Sequence, residues 1–111
     1  MFDVELFAEE DGSTPFARWF DRLPANVADR VDTALQRMRL GNLGDHKAVG
    51  QGVSERRIDF GPGYRLYFGR DGKHLIVLLA GGSKKTQSRD IKAAQELWKE
   101  YKKRKRRKTW H

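Results

Sequence analysis

Residues 55–82 read ERRIDFGPGYRLYFGRDGKHLIVLLAGG, and the pairing within this stretch decides the fold. Gly61-Pro62-Gly63 and Asp71-Gly72 are turn signals that divide it into three strands of an antiparallel meander. A two-residue turn at Asp71-Gly72 sets Arg70 opposite Lys73, so that Phe68, Leu66 and Tyr64 face Leu75, Val77 and Leu79. That face is apolar throughout and is expected beneath helices. The reverse face then pairs Tyr67 with Ile76 and Arg65 with Leu78. At the first turn, pairing Gly61 with Tyr64 would drive Arg57 into the apolar face. A three-residue loop instead pairs Phe60 with Tyr64 and Ile58 with Leu66, and keeps that face clean. Arg57, Asp59, Arg65 and Tyr67 are thereby expected together on the other face, with Asp59 across from Arg65. A cross-strand ion pair is an ordinary reason for such a juxtaposition.

Outward from the meander, Phe2, Val4 and Leu6 alternate with Asp3 and Glu5 as in a half-buried strand. Ser13-Thr14-Pro15 opens a helix carrying Phe16, Trp19, Phe20 and Leu23. Pro24 opens a second, whose stripe is Val27, Val31, Leu35 and Met38, ended by Gly41-Asn42. Residues 41–54 show no periodicity and read as a long loop, either functional or a plain connection. A final helix follows a cap at Thr86 or Ser88, with Ile91, Ala94, Trp98 and Tyr101 on one face. The fold class is therefore α+β: an N-terminal strand, two helices, a three-stranded antiparallel meander joining the first strand in one sheet, and a C-terminal helix. Residues 1–101 form the domain, and 102–111 a basic tail expected to be disordered.

The chain has 111 residues, no cysteine and a net charge of +8. No apolar run is long enough to span a bilayer, and the acidic start lacks a signal pattern, so a cytoplasmic location is expected. Lys102–Lys108 reads KKRKRRK and carries seven of the charges. Residues 1–53 net −3 and residues 54–101 net +4, an asymmetry that suits a polyanion-facing side. His46, His74 and His111 share no ligand spacing, so neither a metal nor another cofactor is expected. What remains is a set of cations on one sheet face: Arg57, Arg65 and Lys84, with Lys85 and Arg89 nearby and Lys47 in the preceding loop. Arginine forks and lysine ammonium groups suit phosphate oxygens, and Tyr67 between them offers a stacking platform for a base. Ile76 and Leu78, with Ala80, leave an apolar strip that needs cover from the final helix or from a partner.

Glu55 to Phe68, continuing through Gly81-Gly82-Ser83-Lys84-Lys85-Thr86-Gln87-Ser88-Arg89-Asp90-Ile91, resembles the RelE/ParE superfamily of bacterial toxin–antitoxin toxins, in the HigB-like branch of addiction module killer proteins. The likeness spans roughly residues 2–101, and its specific part runs from Arg57 to Asp90. It implies a toxin silenced by a cognate antitoxin, expected to be a helix-turn-helix protein. For RelE-like members it implies metal-independent cleavage of mRNA on the ribosome through attack by the 2′-hydroxyl. By motif, Arg65 falls on the phosphate-stabilising arginine, Arg57 on the basic position of the preceding strand and Lys84 on the cation after the last strand. The tyrosine that RelE carries shortly after that cation is missing here, where Gln87, Arg89 and Asp90 stand, so no base is assigned. The expectation is a ribosome-associated endoribonuclease with Arg57, Arg65 and Lys84 as catalytic residues. Tyr67, Lys85, Arg89 and Lys47 would contact nucleic acid, and Ile76 and Leu78 the antitoxin. The competing readings are a ParE-like gyrase inhibitor and a module that binds nucleic acid through its tail.

Overall fold

Pro15 starts α1 (Pro15–Phe20) and Pro24 immediately precedes α2 (Ala25–Arg39), positions where a missing N–H breaks no helical bond. In the computed structural model, which describes residues 1–109, these helices follow β1 (Asp3–Leu6). They are followed by β2 (His46–Gly50), β3 (Val53–Ile58), β4 (Tyr64–Asp71), β5 (Leu75–Ser83) and, after a short turn at Lys84–Thr86, α3 (Gln87–Thr109). The strands form one mixed sheet in the order β1-β5-β4-β3-β2, with β1 parallel to β5 and the other neighbours antiparallel. The expected α+β class and the C-terminal helix are observed. No helix among the described residues is long and apolar enough to cross a membrane.

Two apolar layers flank the sheet. Phe16, Val31, Leu35 and Met38 pack α1 and α2 on Ile58, Leu66, Phe68, Ile76 and Leu78. Ala94 and Trp98 pack α3 on Phe7, Val53, Tyr67, Val77 and Leu79. Each layer seats a tryptophan over a glycine. A Cβ on Gly69 would stand 2.4 Å from the Trp98 ring, and one on Gly81 would stand 2.2 Å from the Trp19 ring. The sheet surface is flat at those two points because the indoles need it to be.

The registers differ from expectation in ways that matter for the site. Between β3 and β4, Ile58 pairs with Tyr64, Arg57 with Arg65 and Glu55 with Tyr67, two residues from the expected pairing. An even shift preserves the faces, so Arg57 and Arg65 still share one. Asp59 leaves the ladder and is not the partner of Arg65. Between β4 and β5, Asp71 pairs with Leu75 and Phe68 with Leu78, so Gly72, Lys73 and His74 all belong to the turn. That odd shift inverts β5. Ile76 and Leu78 lie fully buried beneath α1 and α2, so the exposed apolar strip assigned to an antitoxin does not exist. A bulge between Tyr67 and Phe68 then turns Leu79 and Ala80 together towards α3.

Two further differences concern residues read as unstructured. His46–Gly50 is an edge strand, not a loop, and its side chains are solvated except for half-buried Val49. The basic run is the end of α3 through Thr109, not a disordered tail; Trp110 and His111 lie outside the described residues. Arg104 fixes this end by donating from Nη1 to the Ala8 carbonyl at 2.6 Å while its guanidinium covers the Phe7 ring. Lys105 and the Tyr101 hydroxyl both bond Asp71 at the β4–β5 turn.

Candidate phosphate-binding pocket

The register brings Arg57 and Arg65 directly opposite each other on adjacent strands. Like charges so placed repel, and each is balanced by a carboxylate. Arg57 Nε lies 3.1 Å from Asp45 Oδ2, on the segment entering β2. Arg65 Nε lies 3.1 Å from Glu55 Oε1, two residues before Arg57 on β3. The two pairs differ in kind. Arg57 and Asp45 are exposed, whereas Glu55 is wholly buried and Arg65 nearly so. Gln87, the first residue of α3, donates Nε2 to the same Glu55 Oε1 at 2.8 Å, whereas Glu55 Oε2 and the Tyr67 hydroxyl are buried without a hydrogen-bond partner among the described residues.

Tyr67 stands opposite Glu55 and is fully buried in the α3 layer. It is not a platform for a base, because no base could reach its ring. Burial first, and the Glu55 charge second, push its hydroxyl well above the usual phenol range. Tyr67 therefore remains a neutral backing to the Glu55–Arg65 pair.

Lys84 follows β5 and is positioned by its backbone, whose N–H donates to the Gly63 carbonyl at 3.1 Å. That bond holds the end of β5 against the Gly61-Pro62-Gly63 turn. The outcome is one open pocket of about 440 Å³ into which Arg57, Arg65 and Lys84 all project, with Asp45, Asp59 and Tyr64 on its walls. The three expected catalytic cations are thus brought together. Lys85 and Arg89 are exposed beyond the pocket, and Lys47 lies on edge strand β2 opposite Glu55, outside the lining.

Sequence reasoning missed Glu55 and Asp45; it set Asp59 on this face as a partner for Arg65, Tyr64 on the apolar face, and gave Gln87 no role. Only a correct β3–β4 register would have revealed Glu55 beside Arg65. Gln87 and Asp45 reach the site through tertiary packing that carries no local signal. Of the residues standing where a base was sought, Gln87 is committed to Glu55. Asp90 accepts a hydrogen bond from Thr86 Oγ1 at 2.5 Å. Inside the pocket, Asp59 is the carboxylate with no ion pair among the described residues. No three His, Asp or Glu side chains among the described residues converge as metal ligands.

Because the basic run is helical, its charges have fixed directions. Lys85, Arg89, Lys92, Glu96, Lys99, Lys103 and Arg106 recur at steps of four and three, and all are exposed. Such steps trace one face of a helix. Six of these seven residues are cations, so a positive stripe runs along α3 away from the pocket.

The pocket, and this stripe as far as Lys103, lie within residues 18–105, which match the phage-derived Gp49-like protein family. The chain belongs to that family. The Gp49-like match begins inside α1, leaves β1 outside, and runs into the basic end of α3. A protein of Haemophilus influenzae described only as uncharacterized is 40% identical over 86 residues, which is 77% of this chain and 87% of the relative.

Proposed function

We propose that this Gp49-like protein is the toxin of a bacterial toxin–antitoxin module, acting in the cytoplasm as a metal-independent endoribonuclease on ribosome-bound mRNA. The convergence of Arg57, Arg65 and Lys84 on one open pocket carries this reading. Phosphodiester cleavage by a neighbouring 2′-hydroxyl adds negative charge to the phosphorus centre, and fixed cations stabilise it without reorganising. The 2′-oxygen forms a bond to phosphorus while the bond to the 5′-oxygen breaks, leaving a 2′,3′-cyclic phosphate and a 5′-hydroxyl. The Asp59 carboxylate takes the 2′ proton, and the Lys84 ammonium gives one to the departing oxygen. Arg65 is held rigid by Glu55 beneath the phosphate, and Arg57 exchanges Asp45 for a phosphate oxygen. A cognate antitoxin would silence the protein by presenting acidic side chains to these cations.

The test is the Arg57→Ala/Lys84→Ala double variant, expressed without antitoxin. Both side chains are exposed, so the fold survives and only the pocket charge is lost. Primer extension should show wild-type cleavage ends in cellular mRNA that vanish with the variant, together with growth inhibition. Intact transcripts beside broken chromosomal DNA in wild-type cells would instead indicate a gyrase poison, and unchanged cleavage by the variant would remove the pocket from the mechanism.

A further inference from the structure

Arg56 is the anomaly of the opposite sheet face. It points away from the pocket, towards α2, and is only 8% exposed. Its Nε is buried without a hydrogen-bond partner, and the side chain makes no ion pair among the described residues. The orphaned Nε leaves the guanidinium poorly satisfied, so an anion that draws it into a paired geometry gains from that repair. The surroundings make matters worse, because burial first and Arg37 second weaken its hold on the proton. Asp45 acts the other way but is itself engaged by Arg57.

The space beside Arg56 is built. An open cavity of about 370 Å³ lies between α2 and β3, and Arg30, Thr33 and Arg37 line it from one face of α2. Arg30 is braced over the Phe60 ring at 4.5 Å. Gly44 leaves room for the guanidinium, since a Cβ there would fall 1.2 Å from Arg56 Nη1. Four arginines, Arg30, Arg37, Arg56 and Arg57, thus surround a cavity whose walls carry one carboxylate, Asp59. Arg57, Ile58 and Asp59 line both this cavity and the cationic pocket, so the two adjoin at the end of β3.

We propose that Arg56, with Arg37 and Arg30, forms a second phosphate site, which takes a phosphate of the same RNA strand next to the one held in the pocket. This rests on the ribonuclease reading for the identity of the strand, while the site itself stands on the unpaired arginine. Full forks on Arg37 and Arg56 give the bidentate contacts that phosphate oxygens favour.

The test uses full-length protein in the Lys84→Ala background, which weakens phosphate binding in the first pocket and leaves in place Arg57, which the two cavities share. Inorganic phosphate should raise the melting temperature in proportion to ln(1 + [L]/Kd). Adding Arg56→Met or Arg37→Gln should abolish that rise. Without phosphate, Arg56→Met should be at least as stable as its parent, since it removes a charge rather than a contact. An equal phosphate response in the Arg56→Met protein, or a loss of stability without phosphate, would overturn the site. In otherwise wild-type protein, Arg37→Gln should lower the slope of log affinity against log salt by about 0.7 for a single-stranded RNA. An unchanged slope with an intact phosphate response would assign the site to a free anion or an acidic partner, and would overturn the RNA assignment alone. Failure of the mRNA-cleavage test leaves the phosphate response untouched, so the two readings fail separately.

Discussion

Glu55 and Arg65 meet diagonally across β3 and β4 as an ion pair of 3.1 Å, with side-chain exposures of 0% and 8%. Arg65 lines the cationic pocket while Glu55 lies outside its lining, so Arg65 is both a proposed phosphate ligand and a structural counter-ion. Losing one member leaves the other charged and buried, at a cost of about 3–5 kcal/mol. Arg65→Ala should therefore lose about that much stability in urea unfolding, and Arg65→Met/Glu55→Gln should regain most of it. Equal losses in the single and double variants would mean that packing, not charge, sets the value of the pair. Inactivity of Arg65→Ala is informative only when the surviving fold has been measured.

Asp59 is exposed on the pocket wall, so Asp59→Asn should leave stability within about 0.5 kcal/mol. If the carboxylate accepts the 2′ proton, cleavage should slow by about 10²- to 10⁴-fold. RNA affinity should hold or improve, since a negative charge has been removed. Single-turnover cleavage beside equilibrium binding separates these effects, and an unaltered rate would exclude Asp59 as the base.

The stripe on α3 should be read by salt. Lys92, Lys99 and Lys103 are exposed and make no ion pair among the described residues. Converting all three to Gln should reduce the salt slope for a single-stranded RNA that reaches along the helix by about 2. Glu96→Gln should change affinity in the opposite direction. An unaltered slope in the triple variant would confine RNA to the pocket end of the helix.

Asp71 receives Lys105 and the Tyr101 hydroxyl, and these bonds, that of Lys105 first, hold its carboxyl below the ordinary range. A depressed folded-state value contributes stability above the unfolded value of about 3.9, lost as pH falls through the lower folded one. Acid unfolding followed by circular dichroism should thus be shallower in Asp71→Asn below about pH 4. Burial, followed by the bond to Asp71, raises Tyr101, whose contribution is full below about pH 10 and declines above it. Identical acid profiles for the variant and the parent would deny Asp71 this role.

The elements legible in the sequence were those whose pattern is local. The proline-led helices, the apolar stripes of α2 and α3 and the β3–β5 meander follow from residue spacing alone. Arg57 and Arg65 were correctly placed on one face despite a shifted register, because a two-residue slip preserves alternation. Ile76 and Leu78 were misplaced because β5 is apolar on both faces and offers no alternation to correct a turn misread by an odd number. Tyr67 followed them, since its face is closed by α3. β2 escaped notice because an edge strand with one half-buried side chain has nothing periodic to show. The carboxylates that neutralise the arginines are set by tertiary packing and register, which composition does not encode.

The parallel pairing of β1 with β5 has a consequence for the order of assembly. Asp3 leaves the ribosome first, yet its neighbour Leu75 is made only after both helices and three further strands. A growing polypeptide must keep its leading strand unmated until late, and a product abandoned early has neither that closure nor Lys84 and Gln87. Such a fragment lacks one of the three cations of the pocket and the bond that ties Glu55 to α3.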